Sequence, residues 1–352
     1  MFRLTTIPAR RARPLAARAT ALPGLPIPFA PPPAAAAAVV SRRTAVQKFR
    51  IPAQGIVVIE RSLASFKKQH KELGIKHTTP EQAYAIYQAG LEALRSKGSN
   101  PYWDQWFIKD LEGASAVAVH DTATFLYFFR DGTEGETHLI HHLLNMAAGM
   151  GHDASALSNA KVLLQMSNQK TGYFSYNGPA WGKTRERVAW LIKQGRDANA
   201  VVLEGLIHMN RKTHEDNLLA IDAFRRAWNL GKAASHFDWE ATCLESWGDV
   251  QLRLGRKEDA THTFRRLMKL GFNRGFYRYA MMLEPGSSEY LSCLTHAAAA
   301  GMVEPLEPLM NEHLKRSEQC LAQGNKAHAD EHRSHALEWS RVLEFIKSLS
   351  RG

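Results

Sequence analysis

The sequence predicts an all-α fold in which pairs of helices stack as a solenoid. The pattern Ala-x-x-x-Phe-Arg-Arg-x-x-x-Leu-Gly occurs twice, forty residues apart, at 220–231 and at 260–271. An eight-residue phrase, apolar-x-x-apolar-apolar-x-x-Gly, ends at five glycines that are spaced 30 to 44 residues apart. Periods of this length are typical of solenoids, because a single helix pair cannot bury its apolar face without neighbours.

Each phrase is expected to end the second helix of a pair, with its glycine as the left-handed cap. The five glycines are Gly151, Gly195, Gly231, Gly271 and Gly301. The other positions that are expected to have structural roles in the repeats are Ala220, Phe224, Ala227, Gly248, Gly255, Ala260 and Phe264.

Paired arginines follow the predicted core phenylalanine in both copies of the long pattern. They are Arg225 and Arg226 in the first copy, and Arg265 and Arg266 in the second. They should flank the second helix, where they could form a basic ridge for an acidic partner. Solvated faces with capping roles near the helix C-termini are the favoured alternative.

Most of the positive charge lies at the start of the chain of 352 residues. The net charge is +11, and residues 1–50 contain nine basic residues before the first acid, Glu60. Removing those nine charges leaves +2 for the body, which argues against a nucleic-acid surface. An Arg- and Ala-rich segment without acids is typical of a mitochondrial presequence. Residues 1–43 are therefore predicted to be a presequence and Pro/Ala-rich disordered segment; a basic tail in another compartment is the alternative.

The stretch 21–40 is uncharged and is long enough to span a bilayer. It contains six prolines, each of which removes a backbone donor that a lipid-exposed helix needs. No transmembrane span is predicted in the chain. Localisation in the mitochondrial matrix is expected, with at most peripheral association with the inner membrane.

Residues 44–136 are predicted to form an N-terminal helical cap. The apolar run 51–59 is consistent with either an extended segment or a first helical turn. Thr79 and Gln82 have capping-box spacing around Pro80, and a helix should follow to about Gly98. Two more helices are expected, at about 103–111 and 114–129.

Residues 137–314 resemble Sel1-like and tetratricopeptide repeats. The segment 220–231 is similar to the second helix of a Sel1-like repeat, and 145–152 is similar to its Ala-Ala-x-x-Gly-His junction. The stretch 247–264 resembles a tetratricopeptide repeat, although Gln251 replaces a large apolar residue and no proline closes the unit. The resemblance implies a right-handed α-solenoid that binds proteins and does not imply catalysis. A C-terminal capping segment is predicted at 315–352, with a closing helix at about 325–349.

Two constellations suggest ligand sites. The loop 178–184, Gly-Pro-Ala-Trp-Gly-Lys-Thr, is similar to a phosphate-binding loop, but it has three residues between its glycines where that loop needs four. A repeat-linking loop before a helix near Thr184 is favoured. His138, His141 and His142 have the spacing of one helical face, but no third ligand is recognisable, so ordinary solvated or core-edge histidines are favoured over a metal site. His328, His332 and His335 are interpreted in the same way.

The remaining side chains of interest are expected to pack. Trp190, Trp228, Trp247 and Trp339 occupy predicted core positions of the repeats. The three cysteines, Cys243, Cys293 and Cys320, lack metal spacing and are expected to be reduced.

The function expected from these patterns is that of a non-enzymatic adaptor, without cofactor or metal, that holds a segment of another mitochondrial protein in a groove between helix pairs. Assembly of the respiratory chain, in particular of cytochrome c oxidase, at the matrix face of the inner membrane is the specific expectation. A helical-repeat RNA-binding factor for mitochondrial gene expression is the alternative.

Overall fold

The computed structural model describes residues 48–51, 56–97, 113–129, 132–166, 175–234 and 236–349. These residues contain fourteen α-helices and one short hairpin. The predicted all-α class is therefore confirmed, with the hairpin as an addition. Packing of the backbone separates two compact units, which we call unit one (residues 48–156) and unit two (residues 157–349). The predicted presequence and the predicted helix 103–111 lie outside the described residues.

Unit one contains the hairpin and the first four helices, and α5 begins in it. The elements are β1 (Lys48–Ile51), β2 (Ile56–Ile59), α1 (Leu63–Leu73), α2 (Pro80–Lys97), α3 (Ala116–Tyr127), α4 (Glu134–Gly149) and α5 (Asp153–Met166). The two strands are antiparallel, with Lys48 opposite Ile59. Of the two alternatives for 51–59, the described residues 51 and 56–59 have the extended one, as expected for β-branched residues.

The capping box predicted for α2 is confirmed. The Thr79 backbone N–H donates to Gln82 Oε1 at 3.0 Å, and the Gln82 N–H donates to Thr79 Oγ1 at 3.2 Å. A second capping box, between Thr133 and Glu136, starts α4. These paired bonds satisfy backbone donors that the first helical turn leaves without partners.

Aromatic rings form the centre of unit one. The fully buried Phe66 ring lies 5.2 to 5.7 Å from the rings of Tyr84, Tyr87, Phe125 and Phe129. These rings come from α1, α2, α3 and the residues just after α3, so a single cluster joins the helices. Edge-to-face and tilted contacts of this kind stabilise beyond the area that they bury.

Unit two consists of helices that pack on their neighbours in chain order. After a 3-10 turn (Pro179–Trp181) the helices are α6 (Gly182–Gln194), α7 (Ala198–Arg211), α8 (His214–Ala233), α9 (Glu240–Arg253), α10 (Lys257–Lys269), α11 (Asn273–Ala280), α12 (Ser288–Ala299), α13 (Leu306–Ala322) and α14 (Lys326–Leu349). From α6 onward, each helix packs on the next. In addition, α9 contacts both α7 and α11, so the first helices of successive pairs also touch. This packing of neighbouring pairs is repeat-like.

Four of the five phrase glycines have the left-handed backbone that was expected. Gly151, Gly195, Gly271 and Gly301 have φ between 61° and 89°. The cap prediction is wrong for Gly231, which lies inside α8. A Cβ at this position would lie 2.0 Å from the Phe237 ring, so the absence of a side chain makes room for that ring.

Candidate protein-binding surface

Two helix pairs of unit two contain the same internal contact between a glycine and a phenylalanine. In the first pair, Gly205 of α7 faces Phe224 of α8, and a Cβ on the glycine would lie 2.5 Å from the ring. In the second pair, Gly248 of α9 faces Phe264 of α10, and the corresponding distance is 2.4 Å. Both rings are fully buried. The phenylalanines therefore hold the two helices of each pair together and leave the arginines beside them at the surface.

The other small residues of the duplicated pattern are also buried. The side chains of Ala220, Ala227 and Ala260 are 0% exposed. Gly255, which follows α9, has φ +73°, and a Cβ on it would meet no atom within 4 Å. Its backbone conformation, and not crowding, therefore favours glycine at this position.

The first arginine pair is neutralised by carboxylates. Arg225 Nη2 lies 2.6 Å from Asp222 Oδ1, and Arg226 Nε lies 3.0 Å from Asp222 Oδ2. Arg226 Nη2 also lies 3.0 Å from Glu204 Oε1 on α7. Both arginines hold the pKa of Asp222 below its usual range through hydrogen bonds. These arginines are therefore occupied by bonds within their own helix pair.

The second arginine pair lies over aromatic rings. The Arg266 guanidinium carbon is 5.0 Å from the centre of the Trp228 ring of α8, in the preceding pair. The Arg265 guanidinium carbon is 5.8 Å from the centre of the Tyr279 ring of α11, in the following pair. Within the described ranges, no carboxylate lies at ion-pair distance from either arginine. The duplicated Arg-Arg sequence thus has two different environments.

Ion pairs connect the first helices of neighbouring pairs. Arg274 of α11 contacts Glu245 of α9 at 2.7 Å and Glu304 at 3.2 Å. Arg278 of α11 pairs with Asp249 of α9. These pairs cross from one repeat to the next, so they contribute to stacking. None of the residues involved was singled out from the sequence.

The tryptophans are less uniformly buried than predicted. Trp228, Trp247 and Trp339 are half-buried. The core prediction is wrong for Trp190, which is 47% exposed and lies under the Arg187 guanidinium at 4.2 Å. A tryptophan on the surface can be covered by a neighbouring cation. The helical period alone does not distinguish such a tryptophan from one that is buried in the core.

The loop 178–184 is built as a packed turn. Trp181 is fully buried against the edge of Tyr176, and α6 begins at the following glycine. The Thr184 hydroxyl accepts a hydrogen bond from the Asn159 amide at 2.7 Å, and Lys183 pairs with Glu186. The residue types that would contact a phosphate are thus engaged within the protein, as expected for a linking loop.

The histidines at 138, 141 and 142 lie on α4. His141 and His142 are buried, and burial followed by the neighbouring imidazoles holds the pKa of His142 well below its usual value. No group of three or more His, Cys, Asp or Glu side chains in the described part of the chain is arranged to hold a metal ion.

A second histidine cluster joins α3 to the start of α5. The Ser155 hydroxyl lies 2.8 Å from Nδ1 of both His120 and His152. Burial, followed by the proximity of His152, lowers the pKa of His120 to about 3. His152 Nδ1 also accepts the Ser155 backbone N–H at 3.3 Å, so this imidazole caps α5. The cluster is therefore neutral and structural. The sequence suggested only that His152 belongs to a repeat junction.

The last helix pair contains the remaining predicted histidines. His328 is exposed and contacts Glu331, while His332 Nδ1 lies 3.3 Å from His313 Nδ1 of α13. The His335 ring lies 5.2 Å from the His313 ring. Burial first, then the two facing imidazoles, lower the pKa of His313. These side chains link α13 to α14, the closing helix that was predicted at about 325–349.

The three cysteines are free thiols, and one of them, Cys320, lines a depression in the surface. Cys243 and Cys293 are buried, Cys320 is half-buried, and none of the three is in a disulfide. An open depression of about 550 Å³ lies beside α13; it is lined by polar residues that include Glu312 and Arg316. Arg316 is held there by Glu312 and by the Gly286 carbonyl oxygen.

Comparison with known proteins identifies neither a matching family model nor a matching curated protein. None of the described helices combines the length and the apolar character needed to cross a bilayer.

Sequence reasoning missed Gly205, the counterpart of Gly248, and it missed Asp222, which distinguishes the two arginine pairs. Gly205 lies fifteen residues before Ala220, whereas Gly248 lies twelve residues before Ala260, so a fixed period does not align the two glycines. Asp222 was a usable signal. It precedes Arg225 and Arg226 by three and four residues, and the corresponding position in the second copy is His262.

Proposed function

We propose that this chain is a non-enzymatic adaptor that binds another protein on a right-handed solenoid of Sel1- and tetratricopeptide-like helix pairs. The observation that carries the proposal is the packing of neighbouring helix pairs in unit two, in which Phe224 and Phe264 seal the interior of successive pairs. Sealed pairs expose helix faces along the stack, and such surfaces suit extended or helical segments of other proteins. Arg226 and Arg274 are held in ion pairs within the fold, whereas Arg265 and Arg266 are exposed, which supports binding of a partner at the second pair.

The proposed place of action is the mitochondrial matrix, at the face of the inner membrane, during assembly of cytochrome c oxidase. The acid-free, Arg-rich leader supports import. In its combination of leader, size and repeat type, the chain resembles the fungal mitochondrial repeat protein that assists export of cytochrome c oxidase subunit 2. The C-terminal helix pair would close the solenoid.

Proximity labelling tests this function. The full chain, fused at its C-terminus to a biotin ligase, is expressed in cells, and the same ligase carrying only residues 1–50 is the matched control. We expect the full chain to enrich respiratory-chain assembly proteins over this control. Labelling outside mitochondria would refute the proposed location, and stoichiometric recovery of RNA with the purified complex would favour the RNA-binding alternative.

A further inference from the structure

The exposed side of α10 carries three cations close together. Lys269 lies four residues after Arg265 and three after Arg266, which places it beside both on the surface of the helix, and all three residues are exposed. We call these three residues the basic ridge. Within the described part of the chain, none of them lies at ion-pair distance from a carboxylate. The equivalent arginines of α8 are paired with Asp222 and Glu204, so the basic ridge is a property of one helix pair.

Two aromatic rings hold the arginines of the basic ridge in place. Arg266 lies over Trp228 and Arg265 lies over Tyr279, at 5.0 and 5.8 Å from the ring centres. A guanidinium that lies over a ring has a restricted orientation, and its N–H groups still point outward along its edges. Those edges match the two oxygens of a carboxylate, and less side-chain entropy is lost when the ligand binds.

We propose that the basic ridge binds an acidic segment of the partner protein. This inference rests on the proposed adaptor function and names the chemistry of the ligand. Glu258 and Asp259 lie at the other end of the same exposed side of α10. These two acids would repel a ligand that lies along the whole helix and is acidic throughout. The carboxylates of the partner must therefore lie at the C-terminal end of α10.

The same charges argue against a nucleic acid at this position. Binding of a nucleic-acid backbone needs a sustained basic surface that contacts several phosphates. The basic ridge has three cations and ends at two acids within one helix of 13 residues. An acidic peptide needs only a few carboxylates, and a site of this length is sufficient for it.

Fluorescence anisotropy with the purified full chain tests the proposal. The probe is a labelled peptide of repeated Glu-Glu-Ala-Ala blocks, and the same peptide with Gln in place of Glu is the uncharged control. The variant R265Q/R266Q removes the two arginines of the basic ridge. The matched control R225Q/R226Q removes the same residues and the same charge from the neighbouring pair, where carboxylates already occupy them.

We expect R265Q/R266Q to raise the Kd of the Glu peptide at least about tenfold, because charge-assisted bonds to carboxylates are lost. R225Q/R226Q should change the Kd less than about twofold. R265K/R266K keeps the charge but loses the planar edge, so it should bind with intermediate affinity. Circular dichroism establishes that each variant is folded. Equal weakening by the two Gln pairs would overturn the proposal, as would equal binding of the Gln peptide.

A photo-crosslinking version of the peptide locates the contact. Crosslinks mapped by mass spectrometry should fall on α10 and the adjoining part of α11. Crosslinks confined to residues 1–50 would overturn the proposal, since the basic leader would then be the binding element. Tighter binding of an oligouridylate of equal charge would overturn it in favour of RNA. If partners are recovered by proximity labelling while the peptide fails to bind, the adaptor function stands and only the acidic ligand is refuted.

Discussion

Replacing Gly248 by alanine is expected to destabilise unit two, although alanine is the better helix former. At an open position inside a helix, this change stabilises by about 1 kcal/mol. Here the new Cβ would lie 2.4, 2.5 and 2.9 Å from three atoms of the Phe264 ring, where ordinary contacts begin near 3.4 Å. The ring is fully buried, so moving it displaces the side chains packed around it. Overpacking of this kind costs about 1 to 3 kcal/mol. The overlap of three atoms favours the upper half of that range, about 2 to 3 kcal/mol, which leaves a net loss of about 1 to 2 kcal/mol.

Urea unfolding followed by tryptophan fluorescence measures the effect, because Trp247 adjoins the substituted position. A double-mutant cycle with F264L isolates the steric term. Leucine shortens the side chain that the new methyl group meets, so G248A/F264L should cost less than the sum of the single changes, by at least about 0.5 kcal/mol. G205A, opposite Phe224, should behave like G248A. A stabilised G248A variant, or strict additivity in the cycle, would refute the reasoning.

Three further predictions concern buried polar groups and thiols. Because burial lowers the pKa of His120 to about 3, it is neutral in the folded state, whereas the unfolded chain takes up its proton near pH 6.5. The contribution of this residue to the free energy of unfolding should therefore be complete above pH 6.5 and should fall by about 1.4 kcal/mol per pH unit below it. H120Q should flatten that slope. Arg61 and Glu136 form a buried ion pair, with N–O distances of 2.6 and 2.9 Å. E136Q should therefore lower the free energy of unfolding by about 3 to 5 kcal/mol in denaturant melts, and R61M/E136L should recover much of that loss. Burial raises the pKa of Cys243 to about 12, whereas Cys320 is only half-buried. Mass spectrometry after iodoacetamide treatment should therefore find Cys320 alkylated first. Early labelling of Cys243 would contradict the packing of α9.

Signals carried by a few adjacent residues predicted the local structure well. The Thr79 and Gln82 spacing predicted the start of α2 because both partners of a capping box lie within one turn. Gly271 predicted a left-handed cap for a similar reason. Gly231, at the equivalent position of the same pattern, did not, because its environment depends on Phe237, which lies outside the repeated residues.

The candidate surface was only partly predictable. The sequence located both arginine pairs and gave them equal status. The two pairs differ partly because Asp222 lies on the same helix as the first pair, and a spacing rule can detect this. They differ also because Trp228 and Tyr279 lie on other helices, and a spacing rule cannot detect contacts of that kind. Contacts between helix pairs depend on how the pairs stack. The period of the sequence predicts that the pairs stack, but it does not predict which side chains then face each other.

The positions of Trp228 and Tyr279 under the second arginine pair have a consequence for grafting and truncation. The helix pair α9–α10 carries Arg265 and Arg266, but one ring comes from the pair before it and the other from the pair after it. Moving α9–α10 alone into another repeat array would transfer its glycine–phenylalanine contact and leave the guanidinium groups without their rings. The smallest transferable portion that keeps this arrangement therefore runs from α8 to α11, so the boundaries of the proposed binding module differ from the boundaries of the repeat.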